Sequence, residues 1–297
     1  MKIVLLGKDG QVGWELQRSL APLGELIALG RAEADLENPA ALLEKLRAIK
    51  PTVIVNAAAY TAVDRAETDV ERAQLINATA PAALAKFAAE SGAWLIHYST
   101  DYVFDGTKAG SYVEEDPTGP LSVYGQSKLD GERAIVGSAC RHLIFRTSWV
   151  FASRGGNFAK TMLKLAGERD RLAVVNDQFG APTSAELIAD VTALCLYRIA
   201  RRDAPTPVSG IYHLVAAGET TWFEFARLVL AEAESLGVAL KVKPEAVLPI
   251  PASDYPTPAR RPSNSRLSTD KLRAAFELEL PDWRFHVRRM VREIVAR

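Results

Sequence analysis

The sequence has few cysteines, no excess of either charge and no long apolar run. Only two cysteines, Cys140 and Cys195, occur in 297 residues. They are too few for a disulfide framework or a cysteine-based zinc site, so we expect two ordinary buried thiols. Lysine plus arginine and aspartate plus glutamate each total 36, which leaves no net field to hold a nucleic acid or an anionic membrane. We therefore predict neither of these partners.

The apolar stretches are too short for export or membrane insertion. Before Gly7 the chain offers only the apolar run 3–6, whereas a signal peptide needs about 7–15 apolar residues and a membrane span about 18. Hydrophobic residues make up 48% and charged residues 24%, values typical of a globular chain with a full core. We expect a cytoplasmic protein.

Short β-branched runs alternate with helical stretches rich in Ala and Leu over the first half of the chain. This alternation predicts an α/β fold with a Rossmann-type, doubly wound parallel sheet covered on both faces. Continuously apolar strands fit burial on both sides. The predicted strands are 3–6, 25–29, 52–56, 94–99 and 142–147, and the predicted helices are 11–20, 39–49, 69–92 and 123–135.

After about residue 150 the alternation becomes less regular. Helices are predicted over 157–167, 184–200 and 222–234, with a strand over 211–215. The proline-rich segment 246–264 must be largely loop, and a long loop in a compact chain is often a binding loop. We assign 1–150 to a dinucleotide-binding domain, to which parts of 170–215 return. Residues 151–297 form mostly a smaller, interleaved substrate-binding lobe that includes this proline-rich loop.

Three glycines, Gly7, Gly10 and Gly13, lie between the first strand and the first helix. In dinucleotide-binding folds such glycines permit the tight turn, the approach of backbone N–H groups to a pyrophosphate, and close packing of helix on strand. The helix N-terminus adds unpaired N–H groups and a positive dipole. The position of this turn after a strand, before a helix and near the N-terminus favours a dinucleotide site over a merely structural turn.

The end of the second strand bears on the choice between NAD and NADP. An acid there would bind the ribose hydroxyls of NAD, and an arginine accommodates the 2′-phosphate of NADP. The strand ends at Leu29-Gly30-Arg31, so we predict a preference for NADPH, with NADH use and a solvated Arg31 as alternatives. Asp35-Leu36 and the segment Asn56–Thr61, which contains Ala58, follow two strands and fit further cofactor contacts.

Tyr124 and Lys128 are four residues apart and share one face of a predicted helix. An ammonium near a phenol lowers the tyrosine pKa from about 10, so the phenol can transfer a proton near neutral pH. Thr100 ends the preceding strand and can hydrogen-bond the same substrate oxygen. The pair alone is a common surface feature, but its order after the glycine turn and Thr100 favours catalysis.

The chain resembles the dTDP-4-dehydrorhamnose reductases, a family of extended short-chain dehydrogenases/reductases, from end to end. The glycine turn and the Tyr-x-x-x-Lys pair belong to the wider superfamily, whereas STDYVF, RTSWV and NDQFGAPT are more specific. The segments that carry the resemblance are GKDGQVGWEL, VNAAAYTAVDRAE, HYSTDYVFDG, YGQSKLDGE, FRTSWVFA, NDQFGAPTSAEL and RPSNSRL.

This resemblance implies an NADPH-dependent reduction of the C4 ketone of dTDP-4-dehydro-β-L-rhamnose, a dTDP-linked 4-keto-6-deoxy sugar, to dTDP-L-rhamnose for cell-surface polysaccharide. It implies that Tyr124 donates the proton, with Lys128 beside it on the nicotinamide ribose. Relatives can carry an acid where this chain has Gly30. The other implied contacts are Gly10, Gln11 and Val12 to the diphosphate, Asp35 and Leu36 to adenine, Ala59, Thr61 and Tyr98 to the cofactor, and Thr100, Asp101 and Trp149 to the substrate.

Two further sets of charged residues have weaker support. The resemblance implies Mg²⁺ at a subunit contact of a homodimer, for which Glu15 and Glu186 are candidates; solvated helix carboxylates are the alternative. The proline-rich loop and its end carry Arg260, Arg261 and Arg266, and an arginine fork suits the diphosphate of a nucleotide sugar. Solvated surface arginines are again the alternative.

Two other functions stay open. A nucleotide-sugar epimerase or dehydratase would use the same tyrosine on the same scaffold, but Thr100 is followed by Asp101-Tyr102 instead of the Asp-Glu pair expected for a dehydratase. A non-catalytic, nucleotide-sensing regulatory subunit is the alternative outside enzymes. The intact set of Thr100, Tyr124 and Lys128 argues against it.

Overall fold

Six parallel strands form the centre of the molecule in a computed structural model that describes residues 1–201 and 208–296. The sheet order is β2-β1-β3-β4-β5-β6. The chain adds β2 on one side of β1 and the later strands on the other side, so the winding direction changes at β1. The predicted doubly wound parallel sheet is confirmed. The strands are β1 (Lys2–Leu6), β2 (Glu25–Leu29), β3 (Val53–Asn56), β4 (Trp94–Thr100), β5 (Arg141–Thr147) and β6 (Gly210–His213).

Helices cover both faces of this sheet. One face packs against apolar side chains of α1, α8, α9 and α11, and the other against those of α2, α5 and α6. The helices are α1 (Gln11–Leu20), α2 (Pro39–Ile49), α3 (Val63–Ala66), α4 (Val70–Gln74), α5 (Ala80–Ser91), α6 (Val123–Gly137), α7 (Phe158–Glu168), α8 (Ala185–Arg201), α9 (Trp222–Ser235), α10 (Asp270–Phe276) and α11 (Trp283–Val295).

Local sequence signals explain several helix boundaries. Asn38 caps α2, since its side-chain oxygen accepts the N–H of Ala41 at 3.2 Å. Ser184 does the same for α8, accepting the N–H of Leu187 at 3.0 Å. The predicted helix 69–92 is divided into α4, a π-helical turn over Leu75–Thr79 and α5. Pro81 lies in the first turn of α5, where its missing N–H is tolerated.

A smaller lobe follows the fifth strand and contains its own apolar cluster between α7 and α9. Short strands support it: Leu248–Ile250 pairs with Ala173–Val175, and Thr220–Thr221 pairs with Phe179–Gly180. From the same part of the chain, β6 joins the central sheet and α8 packs beside α1. The division into domains at residue 150 stays a prediction.

The structure also describes the two cysteines and the apolar character of the helices. Both cysteines are buried and free. Among residues 1–201 and 208–296, no helix combines the length and apolar character needed to cross a membrane.

Candidate active site

A cavity of about 770 Å³ opens where the strands end at their carboxyl side. Ligands of open α/β sheets bind at this edge, where the direction of winding changes. The wall brings together most of the residues that the sequence singles out, although those residues are scattered along the chain. They are Gly7, Gly10, Gln11, Val12, Arg31, Asp35, Leu36, Ala58, Ala59, Thr61, Tyr98, Thr100, Asp101, Tyr124, Lys128 and Trp149.

The glycine turn begins the cavity. Gly7 has φ +81°, and a Cβ there would lie 2.7 Å from the backbone N of Ala58. A Cβ on Gly13 would lie 1.9 Å from the carbonyl oxygen of Gly7, so only glycine allows this contact of helix and strand. Gly13 is therefore a packing residue outside the cavity wall. The N-terminus of α1 faces the cavity at Gln11 and can receive an anion.

Positively and negatively charged side chains lie together at the C-terminal end of β2. Arg31 is 64% exposed in its side chain and pairs with Glu37 and, at 3.4 Å, with Asp35. Glu33 bends back, so that its carboxylate accepts the N–H of Gly30 at 2.6 Å and binds Lys8 Nζ at 2.6 Å. An acid thus does reach the strand tip, from a residue three positions later. The sequence of the strand end, Leu29-Gly30-Arg31, does not show this acid, and the preference for NADPH stays a prediction.

Two buried hydroxyls lie unpaired on the cavity wall. Ser99 Oγ at the end of β4 and Thr147 Oγ1 at the end of β5 find no hydrogen-bond partner among the described residues. Buried hydroxyls are normally paired, so these two atoms are available to a bound polar group. Together with the glycine turn, they give the cavity wall the polar groups that a dinucleotide could bind.

Tyr124 lies at the first turn of α6, which Ser122 caps by accepting the N–H of Gly125 at 3.2 Å. Its ring meets the ring of Tyr102 edge-on, with 5.5 Å between centroids. Burial raises the pKa of the Tyr124 phenol, and a hydrogen bond with Thr100 opposes this rise. The protonated phenol is therefore the stable form, as a proton donor requires.

Lys128 lies one helical turn further along α6 and is buried. Its Nζ donates to the carbonyl oxygen of Tyr98 at 2.6 Å and lies 3.2 Å from His97 Nε2. Burial lowers the pKa of Lys128 from 10.5 to about 8, and Glu132 opposes this change. The sequence predicts that Lys128 lowers the pKa of Tyr124, yet burial outweighs any such effect and the net pKa of Tyr124 is raised.

Asp101 follows β4 and is buried beside the phenol. Its two carboxylate oxygens accept the hydroxyl of Thr100 at 3.1 Å and the hydroxyl of Ser265. Burial raises the pKa of Asp101 from 3.8 to about 6, although both hydrogen bonds act in the opposite direction. Ser265 belongs to the RPSNSRL segment, so the C-terminal lobe supports this end of the cavity through its hydrogen bond to Asp101.

Trp149 closes the cavity from the smaller lobe. Its backbone has φ +49°, which is unusual for a bulky residue. Its ring stacks on Trp222 with 3.7 Å between centroids. A strained residue held by such packing is common at binding sites.

Arg261 and Arg266, at the proline-rich loop, have protein partners. Arg261 donates to Asp64 at 2.7 Å and to the hydroxyl of Tyr102 at 2.9 Å, and it lies outside the residues that line the cavity. Arg266 donates to the carbonyl oxygen of Ala109 at 2.6 Å. A diphosphate contact by Arg261 stays a prediction, and it would require exchange of the Asp64 partner.

The two candidate metal ligands lie on α1 and α8, away from the cavity. Glu15 pairs with Arg18 at 3.5 Å, and Glu186 pairs with Arg289 at 3.5 Å. Burial raises the pKa of Glu186, and Arg289 opposes this rise. Within the described ranges, no three His, Cys, Asp or Glu side chains cluster as a metal site requires. Mg²⁺ binding at these glutamates therefore has no support from the described residues of one chain.

The fold and the site together define the class: an α/β oxidoreductase of the short-chain dehydrogenase/reductase type, with a dinucleotide cavity that ends at a Tyr-x-x-x-Lys pair. The chain belongs to the RmlD substrate binding domain family, whose model matches residues 1–296.

Relatives of known name span the whole chain. A protein of Escherichia coli K12 named dTDP-4-dehydrorhamnose reductase is 55% identical over 298 residues, which cover 99% of this chain and 98% of that protein. The crystal structure of a Bacillus anthracis dTDP-4-dehydrorhamnose reductase in complex with NADP has a TM-score of 0.87 and 32% identity, covering 99% of this chain and 100% of that chain. A Thermus thermophilus UDP-glucose 4-epimerase complex with NAD shares the fold alone, with a TM-score of 0.77 at 18% identity over 98% of this chain and 99% of that chain.

Proposed function

We propose that this protein reduces the C4 ketone of dTDP-4-dehydro-β-L-rhamnose with NADPH and forms dTDP-L-rhamnose. The observation that carries the proposal is the placement of Tyr124 and Thr100 at one end of a cavity whose other end is the glycine turn. Full-length similarity to proteins named for this activity supports the choice of substrate.

NADPH, when bound, supplies the hydride that reduces the ketone carbon. Tyr124 donates its phenolic proton to the ketone oxygen as negative charge develops there. The hydroxyl of Thr100, which donates to Asp101 in the structure, would turn to donate to that oxygen and hold it in line, which contributes through orientation. Lys128, in its charged form, stabilises the phenolate that remains on Tyr124. The proton and the hydride together convert the ketone to an alcohol.

The preference for NADPH rests on two cations at the tip of β2. Lys8, which follows β1, and Arg31 lie beside Gly30, where the 2′-phosphate of NADP is recognised in this type of fold. The NADP complex of the similar Bacillus anthracis protein supports the same cofactor. Glu33 lies at the same strand end, where a carboxylate favours NADH by binding its ribose hydroxyls. The positive and negative side chains at this position therefore favour different cofactors.

The test is the absorbance of NADPH with purified protein and dTDP-4-dehydro-6-deoxyglucose, with and without a 3,5-epimerase that supplies the β-L-sugar. We expect loss of one NADPH per sugar only when the epimerase is present. Loss without the epimerase would indicate a reductase of the unepimerised sugar. Tight NADPH binding without any loss would favour a regulatory subunit, and conversion of the sugar without loss would favour an epimerase or dehydratase.

We also propose a cytoplasmic location and a homodimer, as the family resemblance implies. The mass of the native particle, measured by light scattering before and after exhaustive EDTA treatment, tests the assembly and any Mg²⁺ in it. A dimer that dissociates in EDTA would support a bridging ion. A dimer of unchanged mass would argue against one.

A further inference from the structure

A buried histidine, His97, lies directly behind the lysine of the proposed active site. Its Nε2 is 3.2 Å from Lys128 Nζ. Both side chains are buried, at 1% and 2% exposure, so bulk water has little access to this contact. The usual Tyr-x-x-x-Lys chemistry does not require a histidine here, and its ring must present either a proton or a lone pair to the lysine.

The neighbouring Asn56 decides which of the two it presents. Asn56 ends β3, and its side-chain oxygen accepts the N–H of Ala58 at 3.2 Å. This hydrogen bond fixes the orientation of the amide, because the reverse orientation would oppose two N–H groups. The NH₂ group of Asn56 therefore points at His97 Nδ1, 3.2 Å away. Nδ1 must accept this hydrogen bond, so a neutral His97 carries its proton on Nε2.

This tautomer has a direct consequence for Lys128. The Nε2–H of His97 points at Lys128 Nζ, and an ammonium has no lone pair to accept it. A neutral amine does have one, and it can still donate to the Tyr98 carbonyl. Protonation of the His97 ring to its charged form is disfavoured, because burial and the nearby Lys128 hold the pKa of His97 well below 6.5. The contact thus favours the amine form of Lys128.

The other groups around Lys128 act against this preference or are neutral. Glu132, one turn further along α6, favours the ammonium. Its charge is largely neutralised by Arg146 of β5, at 2.7 Å. Tyr124 on α6 is a protonated phenol and carries no charge. From β4 the uncharged carbonyl oxygen of Tyr98 accepts a hydrogen bond from the lysine, beside His97.

We propose that Asn56 and His97 form a positioning pair that sets the proton affinity of Lys128 and, through it, the alkaline limit of catalysis. This inference deepens the proposed function, in which charged Lys128 stabilises the phenolate of Tyr124. Asn56 fixes the Nε2–H tautomer of His97, and this N–H group disfavours the ammonium form of Lys128. Lys128 therefore loses its proton to solvent at a lower pH than an ordinary lysine does. Activity then falls as the pH rises through this transition.

The tautomer can be measured without turnover, by ¹⁵N NMR of the histidine rings in the full-length wild-type protein. We expect His97 to remain neutral with its proton on Nε2 between pH 6 and 9. We also expect the Lys128 Nζ signal to titrate well below the range of an ordinary lysine. A proton on Nδ1 of His97 in the wild type would overturn the proposal, whether or not the protein is a reductase.

The substitution Asn56→Asp is expected to reverse the tautomer of His97. One carboxylate oxygen can still accept the Ala58 N–H, and the other now accepts a proton from His97 Nδ1. Nε2 then offers its lone pair to the Lys128 ammonium. We expect the Nδ1–H tautomer, and an alkaline limb of kcat/KM displaced upward by at least one pH unit. An unmoved Lys128 titration in a variant whose ring has switched would refute the coupling.

The new carboxylate could also act on Lys128 through its charge alone, and a second background separates the two effects. His97→Phe keeps a buried ring without nitrogens. We expect Asn56→Asp to displace the Lys128 titration much less in the His97→Phe background than in the wild type. Equal displacements would assign the effect to charge and overturn the role of His97.

Discussion

Asp101 is a carboxylate buried at the substrate end of the cavity, and its replacement by asparagine is expected to stabilise the protein at neutral pH. Burial raises the pKa of Asp101 from 3.8 to about 6. The folded state therefore binds the proton more tightly than the unfolded state, and stability contributed by the protonated form is lost as the pH rises from about 4 to about 6. Since one pKa unit corresponds to about 1.4 kcal/mol, the charged carboxylate costs the fold about 3 kcal/mol at pH 7.5.

In the Asp101→Asn variant the new amide carries no charge at any pH, and the hydroxyls of Thr100 and Ser265 can rotate to pair with it. The stability difference between variant and wild type should therefore grow by about 2 kcal/mol between pH 4.5 and pH 7.5. Equilibrium urea unfolding at both pH values measures it. Asp170→Asn, at an exposed position, is the control and should show no such growth. A difference that is the same at both pH values for Asp101→Asn would refute the reasoning.

Three further substitutions test other parts of the site. Tyr124→Phe should lower kcat by about 10²–10⁴-fold with unchanged affinity for NADPH by fluorescence titration; a kcat within threefold of wild type would remove Tyr124 from the role of proton donor. Arg31→Ala should raise KM for NADPH about tenfold, the effect of losing one charge-assisted hydrogen bond, without changing KM for NADH; equal changes would contradict the 2′-phosphate contact. Glu132→Gln leaves Arg146 buried without its counter-ion and should lower the free energy of unfolding by about 3–5 kcal/mol; a loss below about 1 kcal/mol would show that Arg146 finds other compensation.

The central sheet was predictable because its signals are local. Each strand is a short apolar run, and helices such as α1 and α2 begin at a glycine turn or an asparagine cap. The predicted bounds of both helices are those of the structure. Local signals were weaker in the C-terminal lobe. There the strands are only two or three residues long, and α11 buries its apolar side chains through contacts distant in the chain.

The cavity was predictable because the carboxyl ends of parallel strands meet at one edge of the sheet. Residues chosen from separate strand ends, such as Gly10, Ala58 and Thr100, therefore lie on one wall. Their individual contacts with cofactor and sugar stay predictions. The charges around the predicted site residues were less predictable, because they depend on which charged side chains approach those residues in the folded chain. Glu33 reaches Gly30, and Asp64 engages Arg261, a residue 197 positions away in the chain.

Burial also changed the expected chemistry of the catalytic pair. From spacing alone, Lys128 acts on Tyr124 as a nearby charge. In the folded chain Lys128 is buried and Tyr124 is half-buried, and the polar partners of Lys128 are the Tyr98 carbonyl and His97. His97 lies within an apolar strand, where a histidine reads as an ordinary core residue. The unusual feature, an amide that fixes its tautomer, requires Asn56 from the neighbouring strand and has no signature in either segment.

The most direct test of the proposed reduction follows the hydride itself. NADPH carrying deuterium at the transferred position of nicotinamide C4 is incubated with the protein, dTDP-4-dehydro-6-deoxyglucose and the 3,5-epimerase, and the product is examined by NMR and mass spectrometry. We predict one deuterium at C4 of the sugar and one oxidised cofactor per product. Product without deuterium at C4, or deuterium in the sugar without net oxidation of the cofactor, would contradict a reductase.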